Sequence, residues 1–261
     1  MMKNAIQRGG KWNRLKTLWR EDRVALGVLA TIPSTQTVQI IARSGVDFIL
    51  IDMEHGPIDA NAAHAMIAAT QGTRLVPLVR VGAIESWLAK VPLDLGALGV
   101  CFPMTNTPEA AEACVKAVRY PPEGDRFWGP FYAAPRWGVS LIEYTQAADD
   151  EVLSIAMAEH IDVVNSISEI VATPGLDMIF IGPGDLATSM GLKGNVSDPK
   201  VAQAISKLEP VIRDSSVILG GVATNPAQAK EMIARGYRAL IVGFDWQLLE
   251  RGIAASIEGI R

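Results

Sequence analysis

Residues 48–59 read FILIDMEHGPID. Four apolar side chains, Phe48 to Ile51, are followed at once by Asp52, Glu54 and His55, and then by Gly56-Pro57. A short apolar run closed by turn residues reads as a buried strand. On either side, 36–44 and 61–71 carry helical spacing or helix-forming composition. Working outward, the strand candidates of the first half are 25–29, 48–51, 75–79 and 98–102, and the helices between and after them are 36–44, 61–71, 84–94 and 107–118. The second half repeats the alternation, with strands at 152–158, 178–181, 217–219 and 239–242. Its helices are 162–172, 199–214, 225–234 and the stretch from Asp245. Eight strand-helix units predict the α/β class and a closed (β/α)8 TIM barrel, as one domain over residues 1–261. A dinucleotide-binding sheet is the rival, but no GxGxxG turn follows the first strand.

Composition narrows the function classes. With 49% hydrophobic and 20% charged residues, the 261-residue chain can fill a large core. Its formal net charge of -4 supplies no positive field for a phosphate backbone, so nucleic acid is not an expected partner. Cys101 and Cys114 are the only cysteines, which excludes a disulfide framework and a four-thiolate zinc site and suggests a reducing cytoplasm. The opening segment, 1–23, is basic and polar, without the unbroken apolar run of a signal peptide or spanning helix. It reads as a first barrel helix, and no membrane partner is expected.

One segment breaks the rhythm. Residues 119–138, RYPPEGDRFWGPFYAAPRWG, hold four prolines with several aromatics and arginines and no sustained period. They read as a long irregular loop over a site or at an interface, with a plain surface excursion as the alternative. Phe127, Trp128, Phe131, Tyr132 and Trp137 would otherwise be a costly apolar display.

In a barrel, strand exits face the active end. Alternation sends Asp52 and Glu54 to one side and lets His55 turn with the loop, so either carboxylate could orient the imidazole; a structural histidine is the plain alternative. Arg80 ends LVPLVR, where a cation can hold a carboxylate or developing oxyanion charge, or else close an ion pair at the rim. Asp94 precedes the fourth strand, which places it on the opposite rim or in an intersubunit contact, or else leaves it a solvated carboxylate. Glu159 and Asp185 follow the fifth and sixth strands, so two carboxylates converge although 26 positions separate them. With oxygens from substrate and water they suit Mg2+ or Mn2+, with Co2+ or Zn2+ as further candidates. Either acid could instead cap a helix. His160, beside Glu159, reads as structural. Gly182-Pro183-Gly184 can present amides to a carboxylate where a helix begins, and Gly220-Gly221 reads as a pocket wall or a tight turn.

The ordered set GVDFILIDMEHGPID, PLVRV, LDLGALGVCFPM, RYPPEGDR, Glu159 and TPGLDMIFIGPGDLATSMG resembles the HpcH/HpaI aldolase family, the metal-dependent class II pyruvate aldolases. The likeness spans nearly the whole chain. It implies a TIM barrel of the phosphoenolpyruvate/pyruvate type in the cytoplasm, commonly a hexamer built as a trimer of dimers whose final helices exchange. It also implies Glu159 and Asp185 as metal ligands, Arg80 on the keto-acid oxygens, His55 as catalytic base and Asp52 as its acidic partner. Asp94 would reach a neighbouring subunit's site, and the amides of Gly184 and Asp185 would meet the pyruvate carboxylate. The implied reaction is reversible aldol cleavage of a 4-hydroxy-2-oxo acid to pyruvate, or a close 2-oxo acid, and an aldehyde. A related carbon-carbon lyase or synthase, or a noncatalytic 2-oxo-acid-binding barrel, is the alternative.

Two positions depart from that pattern. Met157 stands where the family usually has glutamine, and a thioether cannot replace an amide's donors. Phe127-Trp128 stand where many relatives have a small glycine-rich turn, so bulky rings there are expected to narrow or cover the aldehyde side of the pocket.

Overall fold

The structure is a computed structural model that describes residues 9–260. The expectations for residues 1–8 and 261 lie outside that range. Eight strands close a barrel in chain order: β1 (Ala25–Ala30), β2 (Phe48–Asp52), β3 (Val76–Arg80), β4 (Gly99–Phe102), β5 (Leu153–Ala158), β6 (Met178–Ile181), β7 (Ile218–Val222) and β8 (Ala239–Phe244). Every neighbouring pair is parallel, including the closing pair β1 and β8. All eight expected strands are present.

The outer ring is α2 (Thr35–Arg43), α3 (Ala60–Ala68), α4 (Ser86–Asp94), α5 (Pro108–Val118), α8 (Val163–Ile170), α10 (Pro199–Arg213), α11 (Pro226–Arg235) and α12 (Asp245–Ile257). Polar residues at the strand-to-helix turns start these helices. Ser34, Asp59, Thr107 and Asn225 each accept a backbone N–H from three residues on, and proline opens α5, α10 and α11, where its missing N–H costs nothing.

Alternation along the strands sorts the core into layers. Leu29, Phe48, Leu50, Leu78, Cys101, Ile155, Met157, Phe180 and Ile241 fill the barrel, while Ile49, Ile51, Val79, Val100, Ile179 and Leu240 pack outward against the helices. A short helix, α1 (Arg14–Arg20), plugs the N-terminal end. Leu15 and Leu18 join the interior, Asn13 Nδ2 donates to the Leu98 carbonyl at 3.0 Å, and Trp19 Nε1 donates to the Arg238 carbonyl at 3.0 Å. The C-terminal end is therefore the open one.

Two sequence expectations need correction. Gly220 and Gly221 are not in a turn but within β7, because a Cβ would come within 2.8 Å of Phe180 at the first and 2.6 Å of Tyr237 at the second. Paired glycines here mark close packing on both faces of one strand. The connection from β4 to β5 also holds more structure than expected: α6 (Ala133–Arg136) lies within 119–138, and α7 (Leu141–Glu151) follows. Helix α7 buries only Tyr144, Ala148 and Glu151, so its apolar period is thin, yet a Ser140–Glu143 capping box starts it. The preceding segment is pinned by Arg126, buried with its guanidinium 4.5 Å from the Tyr120 ring centroid and 5.5 Å from that of Tyr144.

Candidate active site

The register pairs Asp52 of β2 with Arg80 of β3, both at the last residue of their strands. Parallel neighbours in register point the same way, here into the open end. Both side chains are buried, and Arg80 grips the carboxylate with a fork: Nε to Oδ1 at 2.9 Å and Nη2 to Oδ2 at 2.6 Å. Burial disfavours the charged guanidinium, but the bonds and charge of Asp52 outweigh it and hold the Arg80 pKa above its ordinary value. Asp52 Oδ1 also accepts the backbone N–H groups of Glu54 (3.1 Å) and His55 (3.3 Å), which fixes the reversal after β2.

Glu54 comes back to the same guanidinium, with Oε2 3.2 Å from Arg80 Nε. The same oxygen lies 3.8 Å from Nε2 of His55, whose side chain is exposed. The imidazole's carboxylate neighbour is therefore Glu54. Asp52, expected as the acidic partner of His55, meets it here through the His55 backbone N–H, while both its oxygens also hold Arg80. Burial raises the Glu54 pKa against the opposing pull of Arg80 and His55.

Glu159, one residue past β5, is buried. Its Oε1 accepts the Met104 N–H at 2.7 Å, and its Oε2 is buried with no partner among the described residues. Met104 adopts φ +51°, an uncommon left-handed conformation for a side chain of its size, and this turns its N–H toward the carboxylate. Gly182, one residue past β6, lies beside Glu159: a Cβ there would be 2.9 Å from Oε2. Glycine leaves room at the unpaired oxygen. Burial, assisted by the charges of Asp185 and Glu54, raises the Glu159 pKa to about 7, although the Met104 N–H and Arg80 pull it down.

Asp185 lies in the first turn of α9 (Pro183–Ser189) and is exposed. The first bond of that helix runs from Leu186 N–H to the Gly182 carbonyl at 3.1 Å, so the amides of Gly184 and Asp185 precede the helix ladder. Glu159 and Asp185 thus belong to one end of neighbouring strands, and the charge of Asp185 raises both Glu159 and Glu54. Among the described residues, no group of three or more His, Cys, Asp or Glu converges as a metal cage. An unpaired buried carboxylate oxygen beside a second acid nevertheless fits a hard divalent ion that takes its remaining ligands from substrate and water.

Met157 lies under this cluster, with Sδ 3.9 Å from Arg80 Nη1. A thioether is a weak acceptor, so this third arm of the guanidinium carries no strong bond within the chain.

The remaining expected residues lie elsewhere. Asp94 ends α4 on the opposite rim, 3.6 Å from Arg126 Nη2. Phe127 and Trp128 do not cover the mouth of their own barrel. Both are exposed on its flank, Phe127 with its centroid 5.9 Å from Lys90 Nζ and Trp128 with Nε1 bonded to Thr145 Oγ1 at 2.9 Å. The buried Arg126 anchor directs them there. His160 accepts the Asp162 N–H on Nδ1 at 3.2 Å, a local turn contact.

Two site residues escaped sequence reasoning. Met104 acts through its backbone, for which an apolar side chain gives no signal. Asp245, just past β8, accepts the N–H groups of Thr31, Ile32 and Trp246 and the Thr31 hydroxyl at 2.8–3.1 Å, tying the last strand exit to the first. An acid directly after an apolar run was its available signal.

Comparison with known proteins places the chain in one family. The family model described as HpcH/HpaI aldolase/citrate lyase matches residues 28–251. The chain is 34% identical over 248 residues to a hydroxypyruvate/pyruvate aldolase of Cupriavidus necator, covering 94% of this chain and 92% of that protein. Among solved structures it resembles an HpcH/HpaI aldolase/citrate lyase family protein from Burkholderia cenocepacia J2315, with TM-score 0.87, 31% identity and coverage of 95% and 99% of the two chains. It also resembles the citrate synthase SbnG, with TM-score 0.83, 27% identity and coverage of 92% and 94%. With the barrel, the strand-end acids and Arg80 in place, the chain belongs to the HpcH/HpaI aldolase/citrate lyase family, whose members make or break carbon-carbon bonds.

Proposed function

We propose that this protein is a divalent-metal-dependent aldolase that reversibly cleaves a 4-hydroxy-2-oxo acid to pyruvate, or a close 2-oxo acid, and an aldehyde. The observation that carries this reading is the buried Glu159 carboxylate, with one oxygen unpaired among the described residues, near Asp185 and a guanidinium whose third nitrogen meets the weakly accepting Met157 thioether. Glu159 and Asp185 would hold Mg2+ or Mn2+, which supplies Lewis-acid stabilisation of the keto oxygen as enolate charge grows. Arg80 Nη1 donates to that oxygen, and its other nitrogens stay locked on Asp52, so little reorganisation accompanies the charge build-up. The Gly184 and Asp185 amides receive the substrate carboxylate. His55 takes the C4 hydroxyl proton on its ring, directly or through water, and Glu54 stabilises the imidazolium that results. In the synthetic direction a base removes a methyl proton of pyruvate and the enolate attacks the aldehyde. No Schiff-base lysine is required: Lys16, which is buried, lies at the other end of the barrel, 3.3 Å from Asp177.

Met157 favours a second reading, a related lyase or synthase acting on another enolisable acid, because the apolar thioether changes the floor beneath Arg80. Asp94 belongs to the site only if a neighbouring copy receives it, in keeping with a homohexamer. The free, buried thiols of Cys101 and Cys114 suit a reducing cytoplasm. Among the described residues, no helix is long and apolar enough to cross a membrane. The test is pyruvate release from a panel of 4-hydroxy-2-oxo acids with added Mg2+ or Mn2+. Release that disappears with chelator and returns with metal supports the reading; no pyruvate from any member of the panel overturns it.

A further inference from the structure

A cavity at the N-terminal end of the barrel has no part in the chemistry above. Its volume is about 450 Å³, within the range of sites that hold small organic ligands. Three segments build its wall: the entry to α1, the turn at 70–76 that leads from α3 into β3, and Arg136-Trp137 at the end of α6.

The wall is chemically one-sided. Among the described residues Lys11, Arg14, Arg74 and Arg136 line it and no Asp or Glu does; Glu151 lies behind the wall, with its carboxylate taken up by the N–H groups of Gly10, Lys11, Trp12 and Asn13. Arg14 has a carboxylate nearby, Asp47 at 3.5 Å. Among the described residues Arg136 has none within ion-pair distance: its Nε donates to the Leu95 carbonyl at 2.9 Å, and its Nη1 is buried without a partner there. Burial alone acts on its pKa and lowers it, with no carboxylate to offset the effect. A second buried donor without a partner among the described residues, Trp12 Nε1, belongs to another wall residue. The rings of Trp12 and Trp137 add apolar surface between the cations. A half-buried guanidinium without a counter-ion, among three further cations, is the setting in which an oxyanion binds with charge-assisted hydrogen bonds.

We propose that this cavity binds a phosphate group, free or as a small monoester, against Lys11, Arg14, Arg74 and Arg136, with any carbon portion against Trp12 and Trp137. The 70–76 turn continues directly into β3, the strand that ends in Arg80, so an occupant braces that strand from below.

The test is thermal unfolding and titration calorimetry of the full chain, with chelator present, using inorganic phosphate and glycerol 3-phosphate as probes. Chloride and acetate at equal ionic strength are the controls. Both phosphate probes should raise Tm by a few degrees at saturation, and the controls should not. Tighter binding of glycerol 3-phosphate identifies a monoester site, and equal binding identifies a free-phosphate site. Arg74→Ala removes an exposed cation, and Arg136→Ala also removes the bond to Leu95; each should weaken phosphate binding by roughly tenfold or more. Arg80→Lys should leave that binding unchanged, which separates this cavity from the other end of the barrel. Unchanged affinity in both the Arg74 and Arg136 variants, equal stabilisation by acetate or chloride, or loss of phosphate binding in Arg80→Lys would each overturn the proposal.

Discussion

Arg80 combines a structural and a chemical task in one side chain. Two of its nitrogens hold a buried carboxylate, and the third faces only a thioether. Arg80→Lys keeps the charge but loses the fork, so turnover should fall by about 10²–10³ while the protein still folds, as checked by kcat/KM beside thermal unfolding. Arg80→Ala should also lose stability, by ~3–5 kcal/mol, because it strands the Asp52 charge in the interior. Glu159 gives a prediction of the opposite sign. Its folded pKa, about 7, lies above the ordinary 4.5, so the metal-free folded state holds this proton more tightly than the unfolded chain. Stability from this group is therefore fully present below the unfolded pKa and is lost as pH rises toward 7. In chelator, Glu159→Gln should raise Tm above wild type at pH 8, by an amount reflecting on the order of 3 kcal/mol, and the gain should vanish near pH 4. Added Mg2+ or Mn2+ at pH 8 should stabilise wild type more than the variant. A Tm difference independent of pH would contradict the burial of an unpaired acid.

At the scale of elements, the strands were legible because each is a short apolar run ending in glycine, proline or charge, and the strand-end acids and Arg80 were legible with them. What was not legible depended on contacts distant in sequence. Helix α7 has a thin apolar period and is held by Tyr144 against Arg126, and nothing local announces that pairing. The same anchor carries Phe127 and Trp128 to the flank, where sequence had set them over the pocket. Arg80 meets both Asp52 and Glu54, and the Glu54 oxygen it meets is the one 3.8 Å from His55, a three-way contact visible only once β2 and β3 lie side by side. Asp245 joins the exits of β8 and β1 through three donors, the adjacent amides of Thr31 and Ile32 and the Thr31 hydroxyl, and also accepts the Trp246 N–H beside it. Asp245→Ala should leave those donors without their acceptor and cost ~2–4 kcal/mol, read as a lower Tm. A variant as stable as wild type would show that the barrel closes without this tie.

The molecule as a whole leaves apolar surface uncovered. Along α12, Leu249, Ile253 and Ile257 recur four residues apart and are 59%, 56% and 53% exposed, so one apolar stripe of the last helix is left more than half open. A second copy of the chain is the occupant consistent with the proposed homohexamer. Leu249→Glu with Ile253→Glu should yield smaller particles by light scattering coupled to size-exclusion chromatography, and an unchanged mass would remove α12 from the assembly. The central claim, that Glu159 and Asp185 support metal-assisted enolisation of a 2-oxo acid, is tested most directly by proton NMR of pyruvate in D2O with the purified protein. The account predicts deuterium entry into the methyl group with Mg2+ or Mn2+, and none above the protein-free background after exhaustive chelation or in Glu159→Gln. Enzyme-dependent exchange that persists undiminished after chelation would contradict it.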